Sequence, residues 1–399
     1  MNRTRLPARV AALTVGVATL AAGLPGLASA APARASRAAE PAAITVQALV
    51  PPRGMRADDG RVHLDYNLAV TNILPEEVTL TSAVVRTGGK PILNLRGDEL
   101  ADHTRQALGT DPSATLPQSS TRILQIDALL PRSSKGELPW RVSNHISYAL
   151  QPGSALSVFV GATTVDAPRL KVDRRKATVV EPPLRGSGWY GLNACCDPAA
   201  AHRATVFSAN GTYESIEMFA IDWLRIVDGA YFSGDGTQLT DHFSFGAKVH
   251  AAAPGKVVSV REDFPEAPVT DSSIGNPTVT EPSQLAGNHA VVKIAPGRYA
   301  VYGHMQPGSV RVKPGQHVRA GPTIGLLGNS GNSSAPHLHF GIQAGPNVTA
   351  SDSLPFVFDR FRFEGFGTFA SETEFTLSGT PGVFKRAYPL ASSVIDLSP

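Results

Sequence analysis

Short runs of alternating apolar and polar residues, broken by Gly, Pro and Asn, recur along most of this 399-residue chain, and long helical periodicity is absent. Side chains on a strand alternate faces, so this pattern points to an all-β architecture of half-buried strands. From about Ile44 to Val172 the segments "VHLDYNLAVTN", "EEVTLTSAVVR", "STRILQIDAL", "RVSNHISYAL" and "ALSVFVGATTV" are spaced as in an antiparallel sandwich, which predicts an immunoglobulin-like β-sandwich over residues 44–180. It carries no cluster of His, Cys and carboxylate, so binding, spacing or positioning is expected of it. The Pro- and Gly-rich "VVEPPLRGSGW" reads as the join to a second strand-rich half. Within that half, the polar segment from Asp263 to Asn288 contains four prolines and reads as a surface insertion.

Charge narrows the partners. The opening "MNRTRLPARVAALTVGVATLAAGLPGLASA" places Arg3, Arg5 and Arg9 before an apolar run ending in small residues, the pattern of a signal peptide over residues 1–30, with a linker over 31–43. Its removal takes three basic residues from the 36 Lys plus Arg and leaves 33, equal to the 33 Asp plus Glu. The expected mature chain is neutral, secreted or in the cell envelope, with no membrane anchor and no electrostatic case for nucleic acid. Its length allows two domains, and the pattern sets no oligomeric state. Cys195 and Cys196 are adjacent, which leaves a vicinal bridge, an intermolecular bond or two free thiols.

The chemistry begins at His337-Leu338-His339 in "LLGNSGNSSAPHLHFGI". On a strand the two imidazoles share a face roughly 7 Å apart, so one ring can hold a metal and leave the other beside whatever the metal binds. A pair of polar residues on a half-exposed strand has the same sequence pattern.

The surrounding segments favour the first reading. "GAKVHAAAPGKVVSV", "YAVYGHMQPGSVRVKPGQHVRAGPTIGLLGNSG" and "PHLHF" closely resemble the lysostaphin/LytM-type zinc metallopeptidases, and "FAIDW" resembles the segment that supplies that family's metal-binding aspartate. The resemblance spans residues 187–363 and implies a LytM-like (duplicated hybrid motif) antiparallel β domain, followed by a C-terminal extension over 364–399. It implies one Zn2+ per chain held by Asp222 and His339, with His304 and His337 as catalytic histidines acting on water and the leaving amine. It also implies peptidoglycan or another peptide as substrate.

One position departs from the family. The first zinc histidine usually lies four residues before the aspartate, where this chain has Met218, a poor zinc donor. His202, in "AAAHRATVF", is the candidate replacement, and the "HR…FAIDW" arrangement is similar to that of relatives which replace the usual motif. The Asn-Gly in "NGTYES" suggests a hairpin folding "ATVF" back against "MFAIDW". His242 competes for the same role, and a site with only two ligands is the third option. His63, His103, His145, His250, His289 and His317 read as structural or solvated. Retention of Asp222, His304, His337 and His339 favours a secreted zinc metalloendopeptidase over a non-catalytic envelope protein that binds cell wall or regulates another hydrolase. A third reading makes the sandwich the recognition module and the second half a scaffold.

Overall fold

The computed structural model describes residues 40–132, 136–270, 279–371 and 374–398, and the expected signal peptide and most of the linker lie outside them. Strands dominate these residues, and the longest helix has six residues. The first half is two antiparallel sheets. One runs Ile44–Ala48, Val62–Asn72, Thr121–Leu129, Thr104–Arg105; the other runs Thr164–Asp166, Arg141–Leu150, Val78–Thr87, Lys90–Leu95.

The alternation in "RVSNHISYAL" does what its period requires: Val142, Asn144, Ile146 and Tyr148 are buried between the sheets while their neighbours turn outward. Across the interior Tyr66 donates to Asn144 Oδ1 at 2.6 Å, which joins the sheets through a buried polar contact. Strand Val62–Asn72 breaks the half-exposed pattern, because almost all of it is buried. Leu64, Tyr66 and Leu68 pack into the sandwich, whereas His63, Asp65 and Asn67 face the other way and are covered too. The cover is the second half: residues 40 onward form one compact unit.

That second half is organised by one large sheet. Its order is Thr178–Val180, Phe356–Ser371, Ser393–Asp396, Trp189–Leu192, Ile221–Arg225, Leu338–Gln343, Arg298–Met305, Asn288–Ala295, Gly255–Arg261, His317–Val318. Pairing along it is antiparallel except between Thr178–Val180 and Phe356–Ser371. Residues read as a C-terminal extension thus supply strands beside the central ones. Trp223 and Phe340 are fully buried on one face, with Phe340 stacked 6.2 Å from Phe358 and Trp223 6.0 Å from it. By the period of two, Asp222 and His339 take the opposite face. Gly341 permits the close approach: a Cβ there would sit 3.0 Å from Ala220 Cβ.

The expected hairpin takes a different partner. Val206–Ala209 pairs with Thr212–Ser215, and the strand Ile221–Arg225 belongs to the large sheet instead. Asn210 and Gly211 have φ of 51° and 79°, the left-handed pair of a two-residue type I′ turn. Such a turn returns the chain at once, so "TYES" becomes the second strand and "FAIDW" stays free for another neighbour. In the insertion, the described residues 263–270 and 279–287 are irregular apart from a turn at Pro282–Gln284 and a β-bridge of Glu266 with Ser330, and the segment is fastened by Ala267 N donating to Asn329 O at 2.9 Å.

Candidate metal and catalytic site

Strand register brings the site together. Asp222 lies opposite His339, and His339 lies opposite Gly303, one residue before His304. His202 arrives from the single-turn helix Ala201–Ala204, just ahead of the Asn210-Gly211 hairpin.

Asp222 is the hub. Its Oδ1 is 2.9 Å from His339 Nδ1 and 3.5 Å from His337 Nε2, and its Oδ2 is 3.1 Å from His202 Nε2. Oδ2 also accepts from Asn193 Nδ2 at 2.9 Å. Backbone carbonyls fix three of the rings. His202 Nδ1 donates to Ala220 O at 3.1 Å, His304 Nδ1 to Ser330 O at 2.7 Å and His337 Nδ1 to Ala335 O at 2.8 Å. Because a carbonyl only accepts, each Nδ1 carries a proton and each Nε2 is left for chemistry. The His304 ring centre is 4.6 Å from that of His337 and 5.9 Å from that of His339. His304 also has φ of 61°, a left-handed conformation that a bulky residue rarely adopts and that tends to occur where surrounding structure forces it.

Electrostatics follow from burial and from the shared carboxylate. Burial disfavours the Asp222 anion, but the facing His202 and His337 outweigh it and hold its pKa well below the usual range. Burial likewise opposes charging of His202, yet Asp222 and Glu217 raise it to about 9. His337 is raised despite burial, through Asp222. Burial drives His304 the other way, well below normal, with His337 and His339 adding to the effect.

These groups open into a cleft of about 390 Å³ whose walls include Leu108, Phe207, Ile216, Leu285 and Val348. Among the described residues, its lining carries the carboxylates Glu217 and Asp222 and no lysine or arginine. Another pocket of about 420 Å³, lined by Gly188, Ile226, Glu364 and Phe375 among others, has no imidazole among its described lining residues.

One side-chain donor atom from each of His202, Asp222 and His339 lies within 4.8 Å of the others. Two imidazole nitrogens and a carboxylate suit zinc, and Asp222 turns one oxygen to each imidazole, Oδ1 2.9 Å from His339 Nδ1 and Oδ2 3.1 Å from His202 Nε2. The donor set fits the metal.

The five residues singled out in the sequence are therefore neighbours in space. Met218 is buried in the core. His242 stands apart from the cleft, bonded through Nε2 to Gly236 O at 3.0 Å and packed against Tyr231 and Phe232. Cys195 and Cys196 are disulfide-bonded to each other. Three contributors carried no signal in the sequence: Asn193, which braces Asp222; Glu217, 3.9 Å from His202; and Leu108–Thr110, which brings the first half to the cleft wall.

Residues 236–351 match Peptidase family M23. This region is similar to the lysostaphin/LytM-type M23 peptidases. The matched range contains His304, His337 and His339 and stops short of His202 and Asp222. Over 56 residues the chain is 43% identical to lysostaphin from Staphylococcus staphylolyticus, covering 14% of this chain and 12% of that relative's length. The same figures hold for lysostaphin from Staphylococcus simulans, except that 11% of its length is covered. Among solved structures, the chain is similar to a mutant catalytic domain of the prophage-encoded M23 protein EnpA from Enterococcus faecalis, at 22% identity, 44% of this chain, 92% of that one and TM-score 0.25. It is also similar to the catalytic domain of lysostaphin from Staphylococcus simulans, at 20%, 42%, 84% and 0.23 in the same order.

Proposed function

We propose that the M23 domain is an exported zinc-dependent endopeptidase that hydrolyses peptide bonds of peptidoglycan stems or cross-bridges. The observation that carries this reading is the buried Asp222 surrounded by His202, His339 and His337, with His304 beside them and a cleft in front. His202, Asp222 and His339 would hold the metal. Bound there, zinc supplies a Lewis acid for the scissile carbonyl and eases deprotonation of water toward neutral pH. His304 and His337 each present Nε2 toward the reaction space, since Nδ1 is spent on Ser330 and Ala335. One takes a proton from the attacking water, and that proton is delivered to the departing amine. The apolar walls exclude bulk water and strengthen these short-range interactions.

The match to lysostaphin and the family supports cell-wall peptide as the substrate class. The test uses the whole chain loaded with zinc and incubated with purified walls of varied cross-bridge composition. New amino termini should appear, vanish on chelation and return with zinc. Failure of the loaded chain to cleave any wall peptide would replace this reading with the non-catalytic one.

A further inference from the structure

His63, Asp65 and Asn67 form a buried polar row on the outward face of strand Val62–Asn72, an arrangement that needs partners from elsewhere. Two of the three reach the turn that bears His202. Asp65 is ion-paired to Arg203, and both side chains are fully buried. Asn67 Nδ2 donates to Arg203 O at 2.9 Å, and Leu108 N donates to Ala204 O at 2.8 Å. On the opposite flank Asn193 Oδ1 accepts from Ala201 N at 3.3 Å, while the same amide's Nδ2 braces Asp222.

Helix Ala201–Ala204 has four residues and no side-chain cap, so it has little stability of its own. Its orientation must come from what holds it. A general ion pair between two halves of a protein stabilises their contact wherever it sits. This one sits a single residue from His202, on a turn whose neighbouring side chains point to different sides: Arg203 into the first half, His202 into the cleft.

We infer that the Asp65–Arg203 pair is a positioning device for His202, which makes the N-terminal sheets a working part of the metal site. The histidine that stands in for position 218 is aimed by a strand of the preceding half. The inference rests on the proposed ligand role of His202, and Arg203 acts only through that residue.

The experiment measures zinc affinity of the full chain by chelator competition, with the visible spectrum of the cobalt-loaded form as a second readout of ligand geometry. Arg203→Met should weaken zinc binding about 10- to 100-fold, the range seen when residues supporting metal ligands are removed. It should also alter the cobalt spectrum, and Arg203→Lys should recover most of the affinity by restoring the charge opposite Asp65. Val85→Ala is the control, since Val85 is buried in the other sheet of the first half. It should lower the melting temperature and leave zinc affinity and the cobalt spectrum unchanged. Wild-type affinity in Arg203→Met would overturn the inference and leave the pair a structural contact. Should Arg203→Met not fold, Asp65→Asn keeps the side chain's size while removing the charge that faces Arg203. A several-fold loss of zinc affinity then supports the inference, and an unchanged affinity overturns it. Wild-type affinity in His202→Ala would remove the ligand assignment itself, and the inference with it.

Discussion

The two flanks of the cleft are held by different means. His304, His337 and His339 sit in the range matched by the M23 family, on or beside two paired strands. His202 and Asp222 lie ahead of that range, and the turn bearing His202 is fastened by Asp65, 138 residues earlier. One flank is encoded where it stands, while the other is assembled from distant parts of the chain. On the proposed ligand role of His202, the contrast is between a donor oriented by its own strand pairing and one oriented by a contact with a distant strand.

Substitutions on the two flanks should fail differently. His304→Ala and His337→Ala should retain zinc and lower kcat by about 10²- to 10⁴-fold, the usual range for a general acid or base. His202→Ala and Asp222→Ala should instead lose zinc affinity roughly a thousandfold, given that about 10–16 kcal/mol of site binding is shared among a few ligands. His242→Ala should keep both. Kinetics at saturating zinc alongside metal titration separates the classes, and zinc loss in His304→Ala would erase the division between flanks.

The two halves also carry buried titrating groups that act in different pH windows. His63 lies 2.9 Å from Asp127 and 3.3 Å from Asp59; burial opposes its charge, but the carboxylates raise its pKa to about 10. Raised above the unfolded value, it contributes stability that is complete below pH about 6.5 and fades as pH rises toward 10. His63→Gln should cost about 1.5–3 kcal/mol at pH 6 and remove that slope in denaturant titrations. In the second half, burial raises Glu266 to about 7, although its Oε2 accepts from Asn329 N at 2.6 Å. Its protonated form is favoured on folding, so stability falls as pH rises from about 4.5 to 7. Glu266→Gln should raise stability above pH 7 by about 1–2 kcal/mol and flatten the lower window. A flat wild-type profile between those values would deny any distinction between the halves.

Much of this was legible in local pattern. The strands of the first half announced themselves by alternation, and the row Asp222, His339, His304 followed from motifs with fixed register. The Asn210-Gly211 turn is also visible in the sequence, but a two-residue turn pairs the residues that flank it, Val206–Ala209 with Thr212–Ser215, rather than a more apolar strand beyond them. Asp65, Asn67 and Asn193 were silent. Each is a lone polar residue in a strand or loop, and its meaning depends on what packs against it from more than a hundred residues away or across a turn.

Strand Trp189–Leu192 lies between the Asp222 strand on one side and Ser393–Asp396 on the other. A ribosome making this chain therefore completes every histidine of the site well before it releases the strand that seals the sheet beside them. Such non-local pairings are slow to form, because the intervening chain must first be closed into a loop. A nascent chain that already carries His202, Asp222, His304, His337 and His339 thus still lacks the interior strand that pairs with Trp189–Leu192.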